Sequence, residues 1–482
     1  MNYRMIRNVI GRIMCTEAAF MVPALLISAF NNEGGAVKGF LITIALLLAA
    51  GLPMALIRRA GGSFYAREGF VVVGLAWLVV SLFGGLPFFI SGDIPNFVDC
   101  FFESVSGFTT TGSSILTDVE AMPRGHLYWR SFTHWLGGMG VLVFIMALSP
   151  LTRRGRGDEM HLLRAESPGV IKGKLVPHMH QSAALLYKIY IVLTIVQIIL
   201  LLLGGIPLFD AVTITLGTAG TGGFAIKNDS MMSYSPYVQV VTTVFMIIFA
   251  TNFNIFYFIL IKEFKKCLKN EELRTYLAII LVSIAAITIN ISSMYGSVGE
   301  AVRHAAFQVA TIISTTGYAS TDFDLWPEFS KAILLLLMFI GAMAGSTGGG
   351  IKVIRILTMF KAGKRAIYKA IHPRGVKLVH LDGEVMEDGT VSSVQNYMMI
   401  YFIIFFASLL LVTVDGFSFE TNFTAVATCF NNVGPGLAGV GPTMNFSQYS
   451  MFSKIVLSLD MLLGRLELFP MLILLSPFTW KK

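Results

Sequence analysis

Charged side chains are scarce in this sequence. Only 13% of its 482 residues are Asp, Glu, Lys or Arg, whereas 55% are hydrophobic; a typical globular protein has about 25% charged residues. A mean hydropathy of +0.71 therefore excludes an ordinary water-soluble domain. The net charge of +8 comes from basic residues dispersed between apolar segments, which argues against a nucleic-acid partner. Lipid is the expected surrounding of most of the chain.

Cysteines and clusters of reactive side chains are also few. The four cysteines lie far apart with no paired spacing, which argues against a disulfide framework and against a thiolate metal site. The eight histidines form no ligand cluster, and no set of nucleophile, base and acid is apparent. We therefore expect no enzymatic activity and no cofactor on this chain.

Ten apolar stretches are long enough, at about 20 residues, to cross a bilayer. They lie at residues 9–30, 38–57, 69–90, 127–150, 183–207, 238–261, 274–294, 330–360, 396–415 and 452–477. The last eight form four pairs with a shorter apolar stretch inside each pair. The expected units are two extra N-terminal helices at 1–65 and four repeats at 66–160, 161–265, 266–372 and 373–482.

Each shorter stretch ends in a three-residue motif with glycine at its end, about 100 residues from the next copy. The copies are Thr110-Thr111-Gly112, Gly220-Thr221-Gly222, Thr315-Thr316-Gly317 and Asn432-Val433-Gly434. Irregular backbone at membrane depth survives only where it lines a water-filled path or is buried in protein. A ring of carbonyl oxygens can replace the hydration shell of a cation. The sequence predicts an all-α membrane protein with four pseudo-symmetric helix/pore-loop/helix repeats around one central pore, plus the two extra N-terminal transmembrane helices.

The distribution of charge predicts the orientation of the chain. In the ten-span arrangement, 28 of the 36 Lys and Arg residues fall on one side, which the positive-inside rule identifies as cytoplasmic, together with both termini. The opposite mouth of the pore is acidic. Asp99, Asp210, Glu300 and Glu420 are expected near the start of the four short helices, where the helix dipole favours an anion.

Two of the predicted spans depart from an ordinary apolar helix. Residues 341–350 interrupt the eighth span with five glycines. Each glycine costs a helix about 1 kcal/mol relative to Ala, so this run should unwind inside the membrane, although close helix packing through small residues is an alternative. Arg465 lies in the tenth span, where a charge is functional by default. Its structural alternative is pairing with Asp460 or Glu467.

These motifs resemble the Trk/Ktr/HKT superfamily of potassium transporters, and within it most closely the TrkH-type subunits of bacterial Trk uptake systems. The resemblance spans essentially the whole chain, including the two extra N-terminal helices. Its motifs lie at residues 102–112, 135–140, 344–355, 431–436 and 464–467.

The resemblance implies that K⁺ is the transported ion, bound only at carbonyl oxygens of the four motifs, in a bacterial inner membrane. In this superfamily a Ser in place of the first filter glycine goes with Na⁺ permeation, whereas Gly112 stands here. The implied partners are a second copy of the chain and a separate cytosolic TrkA-like subunit that binds NAD and ATP or ADP. The implied gate comprises Gly345, Ser346, Thr347, Gly348, Gly349, Gly350, Lys352 and Arg465.

Other functions remain open at this point. The second and fourth motifs depart from Thr-Thr-Gly, which is compatible with an Na⁺ or weakly selective K⁺/Na⁺ pathway. A secondary solute carrier with a site at the bilayer midplane is a further alternative. The basic segments 153–180 and 361–393 are typical of cytoplasmic loops that determine topology, and they could also contact a partner.

Overall fold

The computed structural model describes residues 1–57, 66–140 and 179–480, and within these ranges the chain is almost entirely helical. The second half of the predicted fourth span and most of the loop at 153–180 lie outside the described residues. The α-helices are α1 Tyr3–Phe30, α2 Gly34–Leu56, α3 Ala66–Ser91, α4 Phe97–Phe108, α5 Arg124–Gly138, α6 Met179–Leu203, α7 Leu208–Gly220, α8 Pro236–Phe249, α9 Phe253–Leu260, α10 Phe264–Lys269, α11 Glu271–Ile291, α12 Val298–Ile313, α13 Glu328–Ile340, α14 Val353–Ile371, α15 Asp388–Val412, α16 Phe419–Asn431, α17 Met451–Arg465, α18 Phe469–Leu475 and α19 Pro477–Trp480.

Six helices in the described ranges are long and apolar enough to cross a membrane without interruption. They are α1, α2, α3, α6, α11 and α15. The first two are the extra N-terminal pair, and the other four are the first helix of each repeat. The protein is therefore a multi-pass membrane protein.

The second helix of the repeats ends or breaks part-way across. In the second repeat α8 and α9 meet at an angle of 92°, and in the fourth α17 and α18 are separated at residues 466–468. The predicted spans at 238–261 and 452–477 are therefore each divided between two helices. The unwinding of residues 341–352 between α13 and α14 confirms the prediction made from their glycine content.

Four shorter helices, α4, α7, α12 and α16, precede the glycine motifs. They contain 12 to 16 residues, too few to cross a bilayer core of about 30 Å. Their first turns contain Asp99, Asp210, Glu300 and Glu420, respectively, which confirms their predicted positions. Each carboxylate lies at the positive end of a helix dipole, where an anion is favoured.

Buried apolar clusters join each repeat to the next around a closed circuit. The largest joins the two extra helices and the first repeat to the fourth. A second combines Trp135 and Met139 of the first repeat with Tyr190 and Phe249 of the second. Two more join the second repeat to the third and the third to the fourth. Because the first and last repeats are also in contact, the four units form a ring.

A small β-hairpin that was not predicted from the sequence lies between α14 and α15. Its strands are β1 His380–Leu381 and β2 Glu384–Val385, with His380 opposite Val385. The connecting residues Asp382 and Gly383 have φ of 56° and 86°, as an Asp-Gly turn of type I′ requires. Asp382 accepts a hydrogen bond from the backbone N–H of Glu271 at 2.6 Å. The hairpin thereby contacts the start of α11.

Candidate functional site

The four short helices end in the same backbone turn. Its first residue has a left-handed φ of 55–60° and its third residue is a glycine with φ of 70–103°. The middle N–H donates to the carbonyl oxygen five residues earlier at 2.8–2.9 Å, the pattern of a Schellman helix end. We call these segments the four pore turns: Thr110–Gly112, Thr221–Gly223, Thr315–Gly317 and Asn432–Gly434.

The second pore turn corrects the predicted motif by one residue. Thr221, and not Gly220, has the left-handed φ of 55° that matches Thr110, while Gly223 has the φ of 70° that matches Gly112. Gly220 is the last residue of α7. The run Gly220-Thr221-Gly222-Gly223 contains two overlapping triplets that end in glycine, so only backbone conformation distinguishes them.

The pore turns contact one another in order and close a ring. In every case the third-position glycine faces the carbonyl oxygen of the middle residue in a neighbouring turn. A Cβ atom built on Gly112 would lie 1.9 Å from the oxygen of Gly222, and one built on Gly223 would lie 2.0 Å from that of Thr316. A Cβ atom built on Gly317 would lie 2.4 Å from the oxygen of Val433, and one built on Gly434 would lie 3.0 Å from that of Thr111. These four positions need glycine both for the positive φ and for the close approach.

A cavity of about 250 Å³ lies over the ring. Its lining includes all four third-position glycines and the loops that follow the turns. The side-chain amide of Asn228, another lining residue, donates to Asp118 at 2.8 Å. This hydrogen bond lowers the pKa of the Asp118 carboxyl. Asp118 lies next to this lining, whose described residues include the cations Arg130 and Lys227 and no carboxylate.

The glycine-rich run between α13 and α14 packs into the break between α8 and α9. We call residues 341–352 the intramembrane loop. The N–H of Met343 donates to the carbonyl of Ala250 at 3.1 Å, and the N–H of Phe253 donates to the carbonyl of Gly345 at 3.0 Å. The broken helix of the second repeat and the unwound helix of the third therefore satisfy each other's backbone groups, as a non-aqueous environment demands.

The intramembrane loop also touches the third and fourth pore turns. The N–H of Gly349 donates to the hydroxyl of Thr315 at 2.6 Å. A Cβ atom on Gly349 would lie 2.5 Å from the carbonyl oxygen of Asn431, and one on Gly348 would lie 2.8 Å from that of Ser314. The loop is thus directly against the ring. The predicted gate residues Gly345 to Gly350 all belong to it.

The other side chains of the predicted gate bond within or next to the loop. Lys352 has a φ of 83°, and its ammonium donates to the carbonyl of Gly348. Ser346 donates to the carbonyl of Met343 at 2.6 Å. The hydroxyl of Thr347 donates to the carbonyl of Phe249 at 3.0 Å. These bonds fix the folded shape of the loop.

Arg465 connects the loop to the first repeat. Its guanidinium donates to the carbonyl of Thr347 at 2.8 Å, to the hydroxyl of Thr110 at 3.2 Å and to the carbonyls of Gly137 and Gly138. The last two carbonyls lie at the C-terminal end of α5, where a helix dipole favours a cation. One positive charge thus contacts a pore turn, the intramembrane loop and a helix end.

The two carboxylates considered as alternative partners of Arg465 bond elsewhere. Glu467 forms an ion pair with Arg355, and Asp460 accepts a hydrogen bond from Ser408 at 2.6 Å.

A family model described as TrkH, cation transport protein, matches residues 36–482. The chain belongs to the TrkH family. It is 33% identical to the Trk system potassium uptake protein TrkH of Salmonella typhimurium, with all of both chains covered. It is 31% identical to the Trk system potassium uptake protein TrkG of Escherichia coli, with 99% of both covered. The crystal structure of the potassium transporter TrkH from Vibrio parahaemolyticus matches with a TM-score of 0.89 at 32% identity over the whole of both chains.

Membership of the TrkH family confirms the resemblance drawn from the sequence motifs, together with the helical repeat architecture. The relatives are named as potassium uptake proteins, which describes transport and not catalysis, as expected for this chain.

A buried ion pair that was not predicted from the sequence supports the first pore turn of this TrkH-family protein. Arg130 lies 2.7 Å from Glu103, and the two side chains are 2% and 0% exposed. Glu103 also accepts hydrogen bonds from the hydroxyl of Ser114 and from the N–H of Ile115, at 2.9 and 3.0 Å. The Arg130 guanidinium lies 4.1 Å over the ring of Phe224. An arginine inside a predicted span was the available signal.

Glu103→Gln should destabilise the protein, because it leaves the buried Arg130 without a counter-charge. Breaking a buried pair in this way costs about 3–5 kcal/mol. Glu328→Gln is the matched control, since Glu328 pairs with Lys331 at 2.7 Å but its side chain is 87% exposed, and surface pairs contribute little. Thermal unfolding in detergent, followed by size-exclusion chromatography, should show a clear loss for Glu103→Gln alone. Equal melting temperatures for the parent and Glu103→Gln would contradict this role.

Proposed function

We propose that this chain carries K⁺ into a bacterial cell across the inner membrane, through a selectivity filter formed by the four pore turns. The closed ring, in which every third-position glycine faces a carbonyl oxygen of a neighbouring turn, is the observation that carries the proposal. The names of the TrkH-family relatives, which describe potassium uptake, agree with it.

Backbone oxygens are the proposed ligands of the ion. Carbonyl oxygens can replace the water around a K⁺ ion without a charged side chain, so the ion binds firmly enough to enter and weakly enough to leave. The filter residues are Thr110, Thr111, Gly112, Thr221, Gly222, Gly223, Thr315, Thr316, Gly317, Asn432, Val433 and Gly434. Inward movement needs no chemical step, since the membrane potential contributes about 2.3 kcal/mol per charge per 100 mV.

An Na⁺ or weakly selective K⁺/Na⁺ pathway is the second candidate. It is favoured by the unlike side chains of the four turns, because the second has glycine and the fourth has valine where the others have threonine. A solute carrier has less support. A carrier of that kind is built from two related halves, whereas four like turns form one ring here.

The intramembrane loop and Arg465 form the proposed gate. The loop bonds to the third pore turn through Gly349, and Arg465 bonds to the loop through Thr347. A fixed positive charge next to the ion path raises the barrier for a cation. Opening would therefore require the loop and Arg465 to move together, away from the path.

The proposed surroundings follow the same reasoning. Both termini would lie in the cytoplasm, on the basic side of the membrane. The relatives are named as proteins of a Trk system, which supports association with a cytosolic TrkA-like nucleotide-binding subunit. A homodimer is the proposed assembly of the chain itself. Repeat boundaries at 66–160, 161–265, 266–372 and 373–482 agree with the order of long and short helices.

Gly112→Ser should increase the passage of Na⁺ relative to Rb⁺, which serves as a tracer for K⁺. The serine Cβ would lie 1.9 Å from the Gly222 carbonyl oxygen and would impose a side chain on a φ of 82°, so the ring must widen. Competing Rb⁺ and Na⁺ fluxes in proteoliposomes measure the effect. The unmodified chain should prefer Rb⁺.

Gly92→Ser is the matched control for that experiment. Gly92 has a φ of 84°, but nothing lies within 4 Å of a Cβ atom built on it, so backbone strain is reproduced without a collision in the ring. Its flux ratio should equal that of the parent. A parent that does not distinguish Rb⁺ from Na⁺, or a Gly112→Ser variant with the parent's ratio, would contradict the proposed filter.

Arg465→Ala should raise the rate of Rb⁺ flux, because it removes the positive charge and frees the Thr347 carbonyl from its bond to the guanidinium. Arg274→Ala, at an exposed position in the first turn of α11, controls for the loss of one positive charge elsewhere. Initial Rb⁺ uptake per reconstituted molecule is the measurement. A rate unchanged from the parent would exclude Arg465 from the gate.

A further inference from the structure

The second pore turn lacks the side chains that stabilise the first and third. In the first turn the hydroxyls of Thr109 and Thr111 lie 2.7 Å apart, and in the third the hydroxyls of Ser314 and Thr316 lie 2.7 Å apart. The equivalent residues of the second turn, those immediately before and after Thr221, are both glycines. No hydroxyl pair can form there.

The space left by these two glycines is occupied by His134, a fully buried residue of α5 in the first repeat. A Cβ atom on Gly222 would lie 2.2 Å from Nδ1 and 2.3 Å from Cγ of the His134 ring. A Cβ atom on Gly220 would lie 2.2 Å from the carbonyl oxygen of His134. One residue from the adjacent repeat thus fills both positions.

The imidazole also bonds to the backbone on both sides of the boundary between repeats. Its Nδ1 lies 2.8 Å from the carbonyl oxygen of Gly107 and therefore donates the proton. Its Nε2 accepts a hydrogen bond from the N–H of Phe224 at 3.2 Å. Phe224 directly follows Gly223, the third residue of the second turn. The histidine therefore connects the residue after that turn to Gly107 of α4 through two hydrogen bonds.

We propose that His134 is a positioning residue for the second pore turn, supplying from the first repeat the support that threonine and serine hydroxyls supply within the first and third turns. The inference rests on the proposed function, because it assigns to His134 an effect on ion selectivity. The residue does not contact the ion. It fixes the backbone at Gly222, whose carbonyl oxygen faces Gly112 across the ring.

A double-mutant cycle between His134 and Gly222 tests this assignment. Gly222 does not have a positive φ, so the backbone accepts alanine and the imidazole is the nearest obstacle to its methyl group. Gly222→Ala should therefore lower the Rb⁺/Na⁺ flux ratio through collision, and His134→Ala should lower it through loss of support. The double variant should have room for the methyl group. If the two changes acted independently, the relative flux ratio of the double variant would be the product of the relative flux ratios of the two single variants, each relative ratio being that of the variant divided by that of the parent. The measured value for the double variant should exceed this product by at least about threefold, within the range found for residues in contact.

Gly223→Ala is the matched control for the cycle. A methyl group there would lie 2.0 Å from the Thr316 carbonyl oxygen, at a φ of 70°, so the collision is with the third turn and not with the histidine. His134→Ala should not rescue it. His134→Gln should keep more selectivity than His134→Ala, because the amide oxygen can accept the hydrogen bond from Phe224.

Elution as a single peak in size-exclusion chromatography separates misfolded variants from altered filters. If His134→Ala does not fold, the cycle is run with His134→Gln, which also removes the ring from the space beside Gly222. Additive effects of the single changes in either cycle would overturn the assignment. If Gly112→Ser alters the flux ratio while the cycle is additive, the proposed filter stands and only the role of His134 fails. If neither alters the ratio, the proposed function fails.

Discussion

The requirement that buried backbone polar groups be bonded, in a medium without water, constrains the rest of this structure. Four short helices end inside the membrane, and each end is closed by the same turn with a left-handed first residue and a glycine in third place. Each turn bonds its own middle N–H to the helix behind it. The carbonyl oxygens of the middle residues remain available at the ring. Long uninterrupted helices alternate along the chain with short or interrupted ones, and the ends of the short ones meet at the ring.

The four repeats keep one backbone geometry with different side chains. The first turn is supported by a hydroxyl pair and by the Glu103–Arg130 ion pair. The second turn is supported by His134 of the first repeat. The third turn is supported by a hydroxyl pair and by the intramembrane loop. In the fourth, Asn432 donates to the hydroxyl of Thr111 in the first turn. Two of these supports, those from His134 and Asn432, join residues of different repeats. A substitution that shifts one turn should therefore also shift the turn next to it.

Much of the architecture could be predicted from the sequence. Hydropathy indicates which segments can span a membrane, and runs of glycine indicate where a helix is interrupted. The extra helices, the acidic first turns at Asp99 and Glu300 and the unwinding of residues 341–352 follow from one-dimensional patterns. The register of the second turn could not be predicted in this way. The overlapping triplets Gly220-Thr221-Gly222 and Thr221-Gly222-Gly223 both end in glycine, and only their backbone conformation distinguishes them. The 92° break after Phe249 was also missed, although Thr251, Asn252 and Asn254 interrupt the apolar sequence there and Asn252 caps the next helix. The partners of the unwound backbone lie in a loop more than 90 residues away, which no local pattern reveals. Arg130 and His134 act through partners in distant segments, which no local pattern contains.

The most direct test of the central claim is the position of the ion. Crystals of the protein soaked in Rb⁺ or Tl⁺ would give an anomalous signal from the bound cation. The account predicts a peak on the axis of the ring, coordinated by the carbonyl oxygens of Thr111, Gly222, Thr316 and Val433. A transport-competent preparation with no peak between the four turns, or with its cation bound to side chains elsewhere, would contradict it.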